Sequence, residues 1–292
     1  MSRVDGKTLP DFIAVGPGRT ATSWLHGALR GHVDLAAGIK ETDFFTTNYY
    51  KGIDWYSHHF RYASGSRPVG EINPYFGFPV AAERIALHIP NCKIICSFRN
   101  PVERIYSAYK LWRHYALTRF GLDEFLVRVP QVLEVTHYAK HLGDWCARFG
   151  DDRVLVCLND DLHADPQAYL DRICDFIGIA RYPLPATAAE MVNSINDAPR
   201  YPSFARRARD LMYWLEEIQA YRTNNFLKRV GVWKLCFGGG PEFPPLDPAM
   251  EARLREQFMP EIEALERLIG RDLSSWKRPR AANSAAAAAA GR

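Results

Sequence analysis

The stretch FIAVGPGRTATSWLHGAL, residues 12–29, constrains this chain more than any other. Phe12, Ile13, Ala14 and Val15 form a short apolar run, which predicts a buried strand. Gly16-Pro17-Gly18 predicts a tight turn, and Trp24, Leu25, Ala28 and Leu29 follow at helical spacing. A strand that turns tightly into a helix presents the first N–H groups of that helix, which have no intrahelical partners, to whatever occupies the turn. Arg19 adds a fixed charge with a planar donor fork, and Thr20, Thr22 and Ser23 add hydroxyl donors. Arg19, Thr20, Thr22 and Ser23, with the backbone N–H groups of the turn, are therefore candidate ligands of a phosphate-like anion. The competing reading is an ordinary strand-to-helix turn closed by a Ser or Thr cap, and this stretch alone does not choose between them.

A nucleoside-triphosphate P-loop is excluded as a match. That motif requires G-x-x-x-x-G-K-[ST], with a lysine on the outer phosphates and a hydroxyl on magnesium. Here the position five after Gly16 is Ala21, and no Lys-Ser/Thr pair follows. The chain's 292 residues suffice for one large α/β domain or two small ones with a substantial core. A net charge of +4 does not point to nucleic acid but suits a polyanionic cofactor. No uninterrupted apolar stretch reaches the ~18 residues of a membrane span. The opening MSRVDGKTLPDF has no apolar core and is not read as a signal peptide. Six scattered cysteines without zinc-ligand spacing read as reduced core thiols of a cytoplasmic protein.

Along the chain, apolar β-branched runs alternate with helical patterns, which predicts a parallel sheet covered on both faces. Val33–Gly38 reads as a second strand, ending at Lys40-Glu41-Thr42-Asp43-Phe44-Phe45. Ligands of open α/β sheets collect at strand carboxyl ends, which puts Lys40 and Glu41 beside the anion loop. A third strand ends at Gly70-Glu71-Ile72-Asn73-Pro74-Tyr75, where Glu71 reads either as a positioning group or as a buried structural carboxylate. Lys93–Phe98 reads as a central strand, followed by Arg99-Asn100-Pro101-Val102-Glu103-Arg104-Ile105-Tyr106-Ser107. Pro101 suits a first helical turn, and Ser107 lies two turns further on. Arg104 reads as a structural brace. Residues 153–158 form another strand, and Asp165-Pro166 opens a helix stopped by Gly178. Residues 180–202 and 236–248 read as loops, 203–222 as an amphipathic helix and 249–276 as helical. Arg200, at the end of NSINDAPR, reads as either a phosphate contact or a surface arginine.

Three of these motifs, in this order, resemble the sulfotransferases that use 3′-phosphoadenosine-5′-phosphosulfate (PAPS). Their loop is G-x-x-[KR]-x-G-T-[TS]-x-L, matched here by Gly16, Arg19, Thr22, Ser23 and Leu25. Arg19 stands where lysine is usual, Ala21 where glycine is usual, and Ile72 where lysine is frequent. The glycan-type branch carries K-E-x-x-F-F, as at Lys40 to Phe45, and N-Y-x-K-G-x-x-W-Y, as at Asn48 to Tyr56. The third motif is R-[DN]-P-x-x-R-x-x-S, at Arg99 to Ser107. The resemblance spans residues ~10 to 276. It implies an α/β, P-loop-like, three-layer fold with a central parallel sheet flanked by helices, plus a helical C-terminal part. Residues 1–276 are expected to form one domain, and 277–292 a low-complexity, disordered alanine-rich tail.

The resemblance also implies a site. Glu41 is the expected base, with Arg19 and Lys40 as catalytic cations. Gly18, Arg19, Thr20, Ala21, Thr22, Ser23, Trp24, Arg99, Ser107 and Arg200 are expected to hold PAPS and its product, adenosine 3′,5′-bisphosphate (PAP). Arg99 and Ser107 would meet the 3′-phosphate through charge-assisted contacts. Members often use a histidine after the serine; at that offset this chain has Leu111, with His114 one turn later. No metal, nucleic acid or membrane span is expected, and the acceptor is a hydroxyl on a carbohydrate, lipid or small molecule. A P-loop-type phosphotransferase and an inactive PAP-binding protein are the alternatives.

Overall fold

A computed structural model describes residues 2–4, 6–184 and 195–279. Its strands are β1 (Ser2–Val4), β2 (Lys7–Leu9), β3 (Phe12–Gly16), β4 (Asp34–Leu35), β5 (Val69–Ile72), β6 (Lys93–Phe98), β7 (Val154–Leu158), β8 (Asp197–Pro199) and β9 (Gly239–Glu242). The helices are α1 (Thr22–Leu29), α2 (Gly52–His58), α3 (Pro79–His88), α4 (Pro101–His114), α5 (Leu122–Arg128), α6 (Gln131–Glu134), α7 (Tyr138–Phe149), α8 (Asn159–Ala164) and α9 (Pro166–Ile177). They continue with α10 (Pro202–Glu217), α11 (Tyr221–Arg229), α12 (Val232–Phe237) and α13 (Pro248–Ile269).

Five strands form one parallel sheet in the order β4-β5-β3-β6-β7. All five residues of β3 are buried, because helices cover both faces of the sheet. Side chains alternate along a strand, so β3 feeds two cores. Ile13 and Val15 join Phe45, Tyr56, Phe76, Phe98 and Trp145 on one face. Phe12 and Ala14 join Trp24, Leu25, Ile95, Leu170 and Ile173 on the other. This is the expected three-layer α/β architecture. Gly70 makes the β3–β5 approach possible: a Cβ there would lie 2.1 Å from Cζ of Phe12.

Two smaller cores extend the domain. Val102, Ile105, Phe125, Leu254 and Phe258 pack α4, α5 and α13 together. Ala205, Ala208, Leu215, Trp233 and Phe237 form the inner face of α10–α12. Residues 236–248, expected as loop, instead pair Gly239–Glu242 antiparallel with Asp197–Pro199. A Gly-Gly-Pro-Glu sequence has no side-chain alternation to announce a strand, so backbone pairing alone makes this one. The expected disorder of the alanine-rich tail, and residues 193 and 194 of the NSINDAPR segment, lie outside the described residues. No helix of the described residues is long and apolar enough to cross a membrane. All six cysteines are free.

Candidate active site

The carboxyl ends of β3, β5 and β6 come level, and the loop after β3 turns there into α1. Gly16 has φ +83°, and a Cβ on it would lie 3.1 Å from the Gly18 nitrogen and 3.3 Å from Pro74 Cα. Arg19 (φ 75°) and Ala21 (φ 67°) are also left-handed. For an L-residue that conformation costs ~1–2 kcal/mol, and it explains why glycine is the ordinary occupant of the Ala21 position in the loop pattern. Ala21 is the N-cap of α1, and no side chain caps the helix. The capped-turn reading therefore fails, and the first N–H groups of α1 remain directed at the loop.

The loop is pinned from behind. Thr20 is buried and donates to the Pro17 carbonyl at 2.5 Å, with Ser97 Oγ 2.9 Å away. Arg104, also buried, donates to the Gly18 carbonyl (3.3 Å) and to Thr136 Oγ1 (2.7 Å). Its guanidinium braces the loop against α6, although burial works against its charge. Thr20 thus spends its hydroxyl on the turn, and Trp24 packs its ring edge-on against Tyr169 in the core. These two contribute backbone rather than side chain to the loop. Thr22 is buried in the first turn of α1.

The cations come from three elements. Arg19 Nε donates to Ser107 Oγ at 3.0 Å, joining the loop to α4. Burial and the neighbouring Arg99 charge both disfavour the charged form of Arg19, so the site favours an anion between them. Arg99 directly follows β6, and Asn100 caps α4 by accepting from the Val102 amide at 3.0 Å. Arg99 is held by Glu103 through Nε (2.9 Å) and Nη2 (2.7 Å). Lys40 Nζ bridges Ser23 Oγ (3.2 Å) and Glu41 Oε1 (2.8 Å), placing Glu41 at the mouth of the loop. Arg200 is exposed, lies over the Tyr201 ring, and lines a concavity with Arg113, Arg119, Arg206 and Arg209. His114 is engaged with β8, its Nδ1 2.9 Å from the Asp197 carbonyl.

Sequence reading missed the platform under Lys40 and Glu41. Glu71 is fully buried and accepts from Thr42 Oγ1 (2.5 Å), Tyr56 Oη (2.6 Å), Tyr75 Oη (3.2 Å) and Asn73 Nδ2 (3.3 Å). Burial raises its pKa, and the four donors pull it back. Thr42 directly follows Glu41, so this network fixes the backbone that carries Glu41. The signal was present in the Thr, Tyr and Asn around a G-E pair at a strand end, but sequence cannot show them converging. Asp43 was missed too. Burial, reinforced by the Glu41 charge, pushes its carboxyl up to about 6 against a hydrogen bond from Asn73. From α10, Glu216 is raised mainly by burial and feels both Asp43 and Glu41; the Tyr213 phenol feels Asp43, and Tyr115 feels Arg19 and Glu41. Helix α10 therefore roofs the same cleft.

The chain matches the model of the family described as "Sulfotransferase domain" over residues 9–197. It is 25% identical to mouse bifunctional heparan sulfate N-deacetylase/N-sulfotransferase 4, over 92% of this chain and 31% of that protein. It is 25% identical to human bifunctional heparan sulfate N-deacetylase/N-sulfotransferase 2, with the same coverage. The chain thus spans about a third of the length of the curated relatives it matches. A sulfotransferase from Alicyclobacillus acidocaldarius superposes with a TM-score of 0.68 at 23% identity, over 93% of this chain and 100% of that one, which shows the same fold. With a family match over most of its length and three motifs converging on one loop, the chain belongs to the PAPS-dependent sulfotransferase family.

Proposed function

We propose that this chain moves a sulfuryl group from PAPS to a hydroxyl of a saccharide-type acceptor, with Glu41 as general base. The observation that carries the reading is the Lys40 bridge, which ties the Glu41 carboxylate to Ser23 in the first turn of α1. The donor residues fit a phosphosulfate: uncapped N–H groups of α1, Arg19 and Ser107 in contact, and Arg99 alongside. Bound there, PAPS would supply an activated sulfuryl group with a phosphate leaving group.

Glu41 takes the acceptor proton as the oxygen attacks sulfur and the sulfur–phosphate oxygen bond breaks. Arg19, Lys40 and the α1 N–H groups stabilise charge that grows on the departing phosphate and the equatorial oxygens. Arg99 and Ser107 hold the 3′-phosphate. The Glu71 network keeps Glu41 in place, so proton acceptor and loop stay in register without reorganisation. Residues 1–276 act as one catalytic unit. The free thiols support a reducing, cytoplasmic setting.

A second reading of the acceptor rests on the acidic side of the cleft. Asp43 feels the Glu41 charge there and Glu216 feels both, and such an acidic wall favours an amine-bearing acceptor. The relatives named as N-sulfotransferases support that alternative. The deciding experiment supplies labelled PAPS or labelled ATP with matched oligosaccharides bearing free, acetylated or no amino groups. Sulfate on oxygen supports the hydroxyl reading, and sulfate confined to the free amine replaces it. Phosphate transfer, or PAP binding without any transfer, overturns both.

A further inference from the structure

We infer that the outer face of α10–α12 docks on an anionic bilayer surface. Residues 200–237 carry eight Lys or Arg against three Asp or Glu, a net +5 in a chain whose total is +4. The rest of the molecule is therefore close to neutral, and the positive field is concentrated on this helical unit. Among the described residues, sixteen large hydrophobics are exposed, and nine of them fall in this same short segment.

Their placement follows helical geometry. On α10, Ala205, Ala208 and Leu215 face the small inner core, while Phe204, Leu211, Trp214 and Ile218 form an outward stripe with Arg207 among them. On α11, Phe226 and Val230 are exposed beside Arg222 and Arg229. Trp214 is 53% exposed, Phe226 56%, and Leu235 on α12 84%. Arg207, Arg222 and Arg229 form no ion pair with a carboxylate among the described residues, whereas Arg209 is paired with Asp210. Bulky apolar side chains interleaved with unpaired cations are the chemistry of a helix lying in a lipid interface: rings and aliphatic groups enter the acyl boundary, and guanidinium groups meet phosphate.

Charge complementarity selects this occupant. A second copy would bring its own Arg207, Arg222 and Arg229 against those of the first. A nucleic acid or a sulfated polysaccharide would satisfy the cations but leave Phe204, Leu211, Ile218 and Leu235 without an apolar partner. An anionic bilayer satisfies both. This surface lies outside the transfer chemistry, so the inference does not depend on which acceptor is used.

The test sediments the full chain with vesicles of phosphatidylglycerol and phosphatidylcholine, and with phosphatidylcholine alone. Binding to the anionic vesicles is expected, weakened by salt, with little binding to the zwitterionic ones. Replacing Arg207→Gln and Arg229→Gln is expected to weaken partitioning roughly fivefold for each arginine. Trp214→Ser with Phe226→Ser is expected to weaken it further at unchanged charge. PAP affinity and circular dichroism of every variant must match the parent chain, which separates lost docking from lost fold. Three results overturn the inference: no sedimentation with anionic vesicles; a Trp214-dependent dimer in analytical ultracentrifugation; or heparin or oligonucleotide binding that survives Trp214→Ser with Phe226→Ser while vesicle binding is absent.

Discussion

Beneath the cleft, Glu71, Thr42, Asn73, Tyr56 and Tyr75 are all buried and share hydrogen bonds around one carboxylate. Above it, Glu216 and Tyr213 reach the cleft from helices whose outer residues are exposed and whose own core is small. The floor is over-determined: moving Glu41 means breaking a network in which an orphaned group costs about 1–3 kcal/mol. The roof is held by a small apolar core and by polar contacts nearer the surface, Glu216 with Asn224 at 3.0 Å and Arg209 on the Ala116 carbonyl at 2.9 Å among them. Chemistry that depends on sub-ångström placement sits on the floor. The roof is free to differ, and the family match ends at residue 197, before α10 begins.

The largest expected effect falls on Glu41, the proposed base, which the floor carries. Glu41→Gln keeps shape and should cut turnover ~10²–10⁴-fold while PAP affinity stays unchanged by calorimetry. Retained turnover would reduce Glu41 to a partner of Lys40. Glu71→Ala should destabilise the fold by about 3 kcal/mol or more in denaturant titration, because four buried donors lose their acceptor. The matched roof substitution Phe204→Ser should stay within about 0.5 kcal/mol. Equal costs for the two would erase the contrast between floor and roof.

Arg99→Ala should weaken PAP binding by ~1.5–3 kcal/mol, and it also leaves Glu103 unpaired near the phosphate. An unchanged dissociation constant would remove Arg99 from the 3′-phosphate site. Asp43 offers a pH test. Its folded pKa of about 6 lies above the ordinary carboxylate value of 3.8, so the folded state holds the proton more tightly. That contribution is complete below pH ~4 and is lost as pH rises through about 6. Asp43→Asn should therefore stabilise by on the order of 1–2 kcal/mol above pH ~6 and by nothing below pH ~4, a figure reduced for partial solvent screening. A pH-independent difference would mean that Asp43 acts through shape instead of charge. A small effect in the opposite direction is expected for Ala21→Gly, a gain of about 0.5–1 kcal/mol from relieving left-handed strain. A loss would show that the alanine methyl group makes a contact worth more than the strain.

The elements were legible because their signals are local. The apolar run of β3, Pro101 after Asn100, and Gly178 closing α9 each follow from residues next to one another. So do the loop, the Lys40-Glu41 turn and the Arg99–Ser107 spacing, which follow β3, β4 and β6 along the chain, although the sheet itself runs β4-β5-β3-β6-β7. The β8–β9 pair was not legible, because a ladder of backbone hydrogen bonds between distant glycine- and proline-containing segments leaves no side-chain pattern.

The amino-acid sequence by itself determined the three-layer class, the family and the residue types available at the strand ends, since periodicity, glycine placement and motif spacing are properties of neighbours along the chain. Only the tertiary structure decided which of those residues act together. Thr20 and Trp24 read as loop ligands, yet one hydroxyl is spent on Pro17 and one ring is packed against Tyr169. Arg200 read as either a phosphate contact or a surface arginine, and folding leaves it exposed on the rim of a concavity it shares with Arg113 and Arg206. Glu71 supports Glu41 through Thr42, 29 positions away in sequence. Asp43 titrates high because folding buries it beside Glu41. Burial, desolvation and hydrogen-bond saturation are properties of a closed three-dimensional environment, and no local pattern of residues carries them.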